Sequence, residues 1–126
     1  QRWASHAGVS APGYVEDLDA VYRDAAFCIA PIRSGGGTNI KIIESLAYGR
    51  ACVTTPHCAD AFKEELGGAG LAVAADDARF AAHCLNWLDD PARCASEAAR
   101  GHHAMREHFS RSHFVEQVRQ RCAALL

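Results

Sequence analysis

Three consecutive glycines, Gly35, Gly36 and Gly37, constrain the fold of this chain more than any other feature. Residues 26–31 before them are apolar and predict a buried strand, and a helix is predicted to begin directly after them. Because glycine has no Cβ, a bound anion can approach this backbone, and the helix offers unpaired N–H groups and its positive dipole end. The segment therefore predicts a phosphate-binding turn.

The helix predicted over residues 38–48 places a cation and a carboxylate on one face. Its apolar stripe is predicted to consist of Ile40, Ile42, Ile43, Leu46 and Ala47, and its polar side of Lys41, Glu44, Ser45 and Tyr48. A phosphate near Lys41 would offset the unfavourable interaction of this cation with the helix dipole, and Glu44 can accept hydrogen bonds from sugar hydroxyls. The alternative is an ordinary solvent-facing ion pair between Lys41 and Glu44, which contributes only tenths of a kcal/mol.

The remaining pattern alternates strands and helices and then becomes wholly helical. Strands are predicted over residues 9–15, 26–31, 51–56 and 70–75, and short helices over residues 18–22 and 59–65. From Asp76 onward, three helices are predicted to begin near residues 76–77, 90–91 and 110–112. The fold class is therefore α/β: a Rossmann-like parallel sheet flanked by helices, with a C-terminal helical tail. In such sheets ligands bind at the edge where the strands end.

Composition narrows the class of protein. The 126 residues are 49% hydrophobic and 22% charged, which is typical of one soluble globular domain. A net charge of −2 argues against a nucleic-acid surface, and no apolar stretch is long enough to span a membrane. Because the chain begins with Gln1 and has no earlier nucleotide-fold strand, we expect residues 1–126 to be a piece of a longer protein.

The cysteine and histidine residues favour no metal site. The six cysteines lie mostly in predicted strands and helices, and no pair has the spacing of a zinc knuckle. We interpret them as reduced thiols in a cytoplasmic protein, either free or at the cytoplasmic face of a membrane. The seven histidines fit no common ligand spacing.

Two side chains near the predicted site have alternative interpretations. Arg33 is either an ordinary residue at the rim or a second phosphate contact. His57 follows the strand predicted over residues 51–56 and is either a surface residue or a catalytic base. The spacing of the glycines excludes a Walker loop and the dinucleotide-binding fingerprint, so ATP hydrolysis and NAD binding are disfavoured.

Five motifs in order resemble one family of enzymes. They are residues 13–18, Ala30-Pro31, residues 37–41, residues 44–49 and residues 53–56. Together they resemble the C-terminal, donor-binding domain of retaining GT-B glycosyltransferases of group 1, the family-four type. The resemblance covers residues 9–75 in detail and makes this chain one half of a GT-B fold.

The resemblance implies a nucleotide-sugar site. Tyr14 and Val15 would border the base, and Glu44 would bind the ribose hydroxyls. The diphosphate would be held by Arg33, Ser34, Gly35, Gly36, Gly37, Thr38, Asn39 and Lys41. Many members carry a glutamate facing the donor sugar eight residues before the one that matches Glu44, where this chain has Gly36.

The implied reaction is transfer of a sugar from a nucleoside diphosphate with retention at the anomeric carbon. It requires no metal and no cofactor besides the nucleotide sugar, and the resemblance assigns no catalytic residue. The acceptor would bind between this domain and an N-terminal domain that residues 1–126 lack, so the chain alone is expected to be inactive. Two alternatives are a catalytically dead nucleotide-binding or regulatory module and a flavodoxin-like domain, which is disfavoured because no Asp-rich pocket or flavin loop is present.

Overall fold

A computed structural model describes residues 3–37 and 39–126 of the chain. The described residues form three strands and seven α-helices. The strands are β1 (Cys28–Ala30), β2 (Cys52–Thr54) and β3 (Leu71–Val73). The helices are α1 (Leu18–Asp24), α2 (Ile40–Ala47), α3 (Pro56–Ala59), α4 (Lys63–Leu66), α5 (Asp77–Asp89), α6 (Pro91–Phe109) and α7 (Arg111–Ala124), and a 3-10 turn (Asp60–Phe62) joins α3 to α4.

The three strands form one parallel sheet in the order β1-β2-β3. Val53 of the central strand pairs with Ile29 on one side and with Ala72 on the other. Because all strands run in the same direction, the segments that follow Ala30, Thr54 and Val73 emerge at one edge. The predicted parallel sheet is confirmed, and the glycine segment lies at the expected edge.

The sheet separates two hydrophobic clusters because successive residues of a strand point to opposite faces. Cys52 packs on one face with residues of β1, α2, α3, α4 and α6, among them Leu46 and Met105. Val53 packs on the other face with Trp87 of α5 and Ala98 of α6. Helices therefore cover both faces, as the sequence pattern predicts.

The C-terminal helices begin where the sequence predicts them. Asp76, Asp90 and Ser110 each accept a hydrogen bond from a backbone N–H in the first turn, which satisfies one of the free amides there. Phe114, Val118, Cys122 and Leu125 recur along the end of the chain with the spacing of an apolar helix stripe, but all four are exposed, Phe114 at 66% and Leu125 at 86%. No residue of α7 is buried, because this helix lies outside both hydrophobic clusters.

The strand predicted over residues 9–15 is wrong. These described residues adopt no strand, and Tyr14 is 89% exposed. Pro12 has no N–H to donate, and Gly13 has a φ of +75°, so the backbone here does not extend continuously. A short β-prone segment also needs a neighbouring strand to pair with, and the described residues supply none. The first regular element of the described residues is α1, whose N-cap Asp17 accepts a hydrogen bond from the Ala20 N–H.

The described part of the chain contains no helix with the length and apolarity that a membrane crossing requires.

Candidate functional site

Hydrogen bonds from the end of β2 fix the segment that leads into the glycines. The buried Thr54 hydroxyl donates to the carbonyl of Ala30 at 3.2 Å, and the Thr55 hydroxyl donates to the carbonyl of Ile32. The Cys58 thiol approaches the same Ile32 carbonyl, at 3.5 Å. The start of the loop is therefore attached to the central strand, whereas residues 33–37 beyond it are exposed.

The glycine loop has a backbone conformation that favours glycine at two of its three positions. Gly35 has a φ of +131° and Gly37 a φ of +102°, which L-residues rarely adopt. A Cβ at Gly35, Gly36 or Gly37 would meet no atom within 4 Å, so the loop backbone is accessible from solvent. This accessibility is what the predicted anion-binding turn requires.

The helix that follows the loop has no side-chain cap. Asn39 is the N-cap residue of α2 but makes no capping hydrogen bond, and the first turn contains no acidic residue. The helices α1, α5, α6 and α7, in contrast, each have an Asp or Ser side chain as cap. The amides at the start of α2 therefore remain available to a negatively charged group.

Lys41 and Glu44 share the outer face of α2, as predicted. The Lys41 ammonium lies 3.2 Å from a Glu44 carboxylate oxygen, and the two side chains are 70% and 25% exposed. The predicted faces are only partly correct, since Ile42 and Leu46 are buried but Ile40 and Ala47 are exposed.

Ser45 lies on the buried side of α2, not on the polar side predicted for it. Its side chain is fully buried, and its hydroxyl donates to the carbonyl of Arg50 at 2.8 Å. A small hydroxyl can enter the core when a backbone carbonyl accepts its hydrogen bond. The buried arc of α2 therefore consists of Ile42, Ser45 and Leu46. Gly49, two residues beyond the helix, has a φ of +68° and provides a left-handed cap.

An aromatic pair that the sequence did not indicate borders Glu44. Tyr22 of α1 stacks on Tyr48 with ring centroids 4.3 Å apart and ring planes 5° from parallel. Burial, followed by the nearby charge of Glu44, raises the pKa of Tyr22 above its ordinary value. The sequence places Glu44 and Tyr48 four residues apart on one face of α2, but it does not show that Tyr22 joins them there.

Arg33 is paired across the sheet edge. Its guanidinium makes an ion pair with Asp77 at the start of α5, the helix that follows β3. The two side chains are 52% and 97% exposed. An exposed pair of this kind contributes little to stability, so either partner can exchange its contact for another ion at small cost.

The other predicted site residues have separate positions. Ser34 is exposed next to the glycines, Tyr14 is exposed, and Val15 is half-buried before α1. The hydrogen bonds and ring contacts of the described residues do not connect Tyr14 or Val15 with the loop, so their contact with a base stays a prediction. Thr38 lies outside the described residues. His57 is exposed on α3, immediately beyond the end of β2.

A cavity of about 550 Å³ lies away from this site. It is bordered by Ala26, Gly49 and Arg50 near the beginnings of β1 and β2 and by residues of α6 such as His102. Ligands in open parallel sheets bind where the strands end, so we place the candidate site at the loop and α2 instead. Within residues 3–37 and 39–126, no three His, Cys, Asp or Glu side chains are grouped to hold a metal ion.

The fold and the distribution of polar groups define the class of this protein. A parallel sheet covered by helices on both faces, with an open glycine loop where β1 ends, is a Rossmann-like α/β domain. The sequence profile of the family described as "Glycosyl transferases group 1" matches residues 1–90. The chain therefore belongs to the group 1 glycosyl transferases, which confirms the family that its motifs resemble. No curated protein and no solved structure matches the chain.

Proposed function

We propose that this chain supplies the donor-binding half of a retaining glycosyltransferase and binds a nucleoside diphosphate sugar where β1 ends. The observation that carries the proposal is the combination of an open glycine loop, an uncapped α2 and the adjacent Lys41 and Glu44 side chains. The loop and the first amides of α2 would bind the diphosphate. Glu44 would accept hydrogen bonds from the ribose hydroxyls.

The cations near the loop suit a diphosphate. Lys41 is 70% exposed and Arg33 is 52% exposed, and among the described residues their ion-pair partners are Glu44 and Asp77. Because such pairs are worth little in water, a diphosphate with two or more negative charges can compete for both cations. In the reaction, these cations and the α2 amides would stabilise the charge that develops on the leaving diphosphate.

The proposed reaction needs an acceptor and no metal. The sugar would be transferred with retention, and the positive groups of the loop and α2 would replace a divalent cation at the leaving group. A second domain, N-terminal to residues 1–126, would bind the acceptor facing the sheet edge. The proposed donor half is then expected to bind nucleotide without transferring sugar by itself.

The first test is a thermal-unfolding titration of the chain with UDP, GDP and ADP. One of these ligands is expected to raise the unfolding midpoint by several degrees, because ligand at 100 times its Kd adds about 2.7 kcal/mol to the free energy of unfolding. Glu44→Ala is expected to weaken the affinity for that nucleotide tenfold or more, since it removes the acceptor for the ribose hydroxyls.

Glu97 provides a matched control for Glu44. It pairs with Arg100 three residues later at 2.8 Å and is 26% exposed, so Glu97→Ala removes a very similar ion pair from α6. Nucleotide affinity is expected to be unchanged in this variant. Stabilisation by none of the three nucleotides at millimolar concentration, or an equal loss of affinity in both variants, would contradict the proposed site.

A second candidate function is nucleotide binding without sugar transfer, and Gly36 is the observation that favours it. The glycine occupies the position where many family members carry the sugar-facing glutamate, although a Cβ there would meet no atom within 4 Å. The two candidates differ in whether the donor is consumed. Release of nucleoside diphosphate from UDP-glucose, GDP-mannose or ADP-glucose by the longer protein would support the transferase, and binding without release would support the second candidate.

A further inference from the structure

The chain that leaves β1 leans over the end of the central strand. Thr55, directly beyond β2, donates its hydroxyl to the carbonyl of Ile32, and the Cys58 thiol approaches the same carbonyl at 3.5 Å. Arg33 is the next residue, and its guanidinium donates to the carboxylate of Asp77, the first residue of α5. The loop and the Arg33 side chain together therefore bridge the sheet edge, from the segment after β1 to the segment after β3.

This bridge directs the guanidinium towards α5 instead of α2. Helix α2 packs on the face of the sheet that holds Cys52, and α5 packs on the opposite face, beside Val53. The strands β1 and β3 are also separated by β2, so about 10 Å lies between them, twice the spacing of neighbouring strands. The amides that are proposed to bind a diphosphate, in contrast, are those at the start of α2.

The start of α5 does not depend on the Asp77 carboxylate for its cap. Asp76 is the N-cap residue, and its carboxylate accepts a hydrogen bond from the Arg79 N–H at 2.8 Å. The Asp77 side chain is 97% exposed, and among the described residues its ion-pair partner is Arg33. The main contact of this carboxylate is therefore with a cation that borders the candidate site.

We propose that Asp77 is an internal competitor of the diphosphate: in the ligand-free protein it holds Arg33 at α5, and a bound diphosphate takes Arg33 from it. This inference rests on the proposed function. A diphosphate carries at least two negative charges, and a guanidinium binds phosphate oxygens through two parallel hydrogen bonds. Asp77 offers one charge in an exposed pair, which is weak in water. The exchange is therefore favourable, but breaking the pair lowers the net affinity of the site.

Lys41 differs from Arg33 in the place of its partner. Glu44 lies three residues further along the same helix, so this pair keeps the ammonium beside the first turn of α2. A diphosphate on the loop reaches Lys41 there, whereas Arg33 has to leave the start of α5 first. We therefore expect Asp77 to act through Arg33 and not through Lys41.

The test measures the affinities of inorganic pyrophosphate, UDP, GDP and ADP by calorimetry. Pyrophosphate reports the diphosphate contacts without base or ribose. Asp77→Asn keeps the size of the side chain and removes its charge, and it is expected to tighten the binding of pyrophosphate and of the preferred nucleotide about two- to sixfold. Arg33→Gln is expected to weaken both about tenfold. In the Arg33→Gln background, Asp77→Asn is expected to have no further effect.

Asp60→Asn is the control for charge. Asp60 is exposed on the turn after α3, beyond the end of β2, and the ion pairs of the described residues do not include it. This variant removes one negative charge near the same edge without releasing an arginine, so pyrophosphate affinity is expected to change by less than about twofold. An equal gain in Asp60→Asn, or in Asp77→Asn on the Arg33→Gln background, would assign the effect to charge in general and overturn the competition.

Two other results would also contradict the role of Asp77. Weaker binding in Asp77→Asn would show that Asp77 orients Arg33 for the ligand, and unchanged binding would show that the pair does not limit affinity. Nucleotide binding that is lost in Glu44→Ala but unaffected by Asp77→Asn would remove only this inference. Failure of pyrophosphate and of every nucleotide to bind either the wild type or Asp77→Asn would overturn the proposed function as well.

Discussion

Replacement of Gly101 by valine is expected to lower the free energy of unfolding by about 3 kcal/mol or more, and replacement by alanine by about 1–3 kcal/mol. Gly101 is buried in α6 against Gly70, just before β3. A Cβ at position 101 would lie 2.7 Å from the Gly70 Cα and 2.6 Å from the Leu46 Cδ2. The leucine end can rotate away, but the Gly70 carbonyl accepts a hydrogen bond from the Cys52 N–H at 2.9 Å, so this backbone is attached to β2 and cannot move independently.

This result is the opposite of what helix propensity alone predicts. Alanine in place of a mid-helix glycine ordinarily stabilises a protein by about 1 kcal/mol. A suitable control is Ala99→Gly, on the exposed side of the same helix, which is expected to cost about 1 kcal/mol. Urea unfolding followed by circular dichroism measures all three variants. A neutral or stabilising Gly101→Ala would show that α6 does not approach the sheet this closely.

Alkaline pH is expected to destabilise the fold through the buried thiol of Cys52. Burial raises the pKa of Cys52 from its ordinary 9.0 to about 12, because the thiolate would lose its hydration inside the core. Between these pH values the unfolded chain has lost this proton and the folded chain retains it, so the unfolded state binds fewer protons. Stability from this group is therefore complete below pH 9 and falls by about 4 kcal/mol by pH 12.

The measurement is the free energy of unfolding between pH 7 and 11 in the presence of a reductant. Cys52→Ala is expected to lower stability at neutral pH and to flatten its decline above pH 9. Cys122→Ala is the control, because Cys122 is exposed on α7 and its removal should leave the slope unchanged. Identical slopes for the wild type and Cys52→Ala would contradict the burial of this thiol.

The sequence was enough to predict those parts of the site that depend on residues close together in the chain. The three glycines, the helix after them and the shared face of Lys41 and Glu44 follow from periodicity and residue type, and all lie as predicted. The partners of these groups depend on distant segments. Asp77 reaches Arg33 from 44 residues away. Arg50 holds α1 in the position where Tyr22 stacks on Tyr48.

The wrong predictions also occur where contacts between distant segments decide the structure. The hydroxyl of Ser45 predicts a position on the polar side of α2, yet the carbonyl of Arg50 accepts its hydrogen bond and allows it into the core. Apolar residues predict the strand over residues 9–15, but a strand exists only where another strand pairs with it. The apolar stripe of α7 has helical spacing, yet spacing does not say whether a neighbouring surface covers it.

Sequence signals that lie within a few residues of one another are enough to predict the parallel strands and the starts of the last three helices, which Asp and Ser side chains cap. They are also enough to predict the glycine loop and the family to which the chain belongs. Which faces are buried and which side chains meet depends on tertiary packing. Gly101 shows the difference most clearly. Locally it is a weak helix residue, and only the approach of α6 to Gly70, 31 positions earlier in the chain, makes the missing Cβ a requirement of packing.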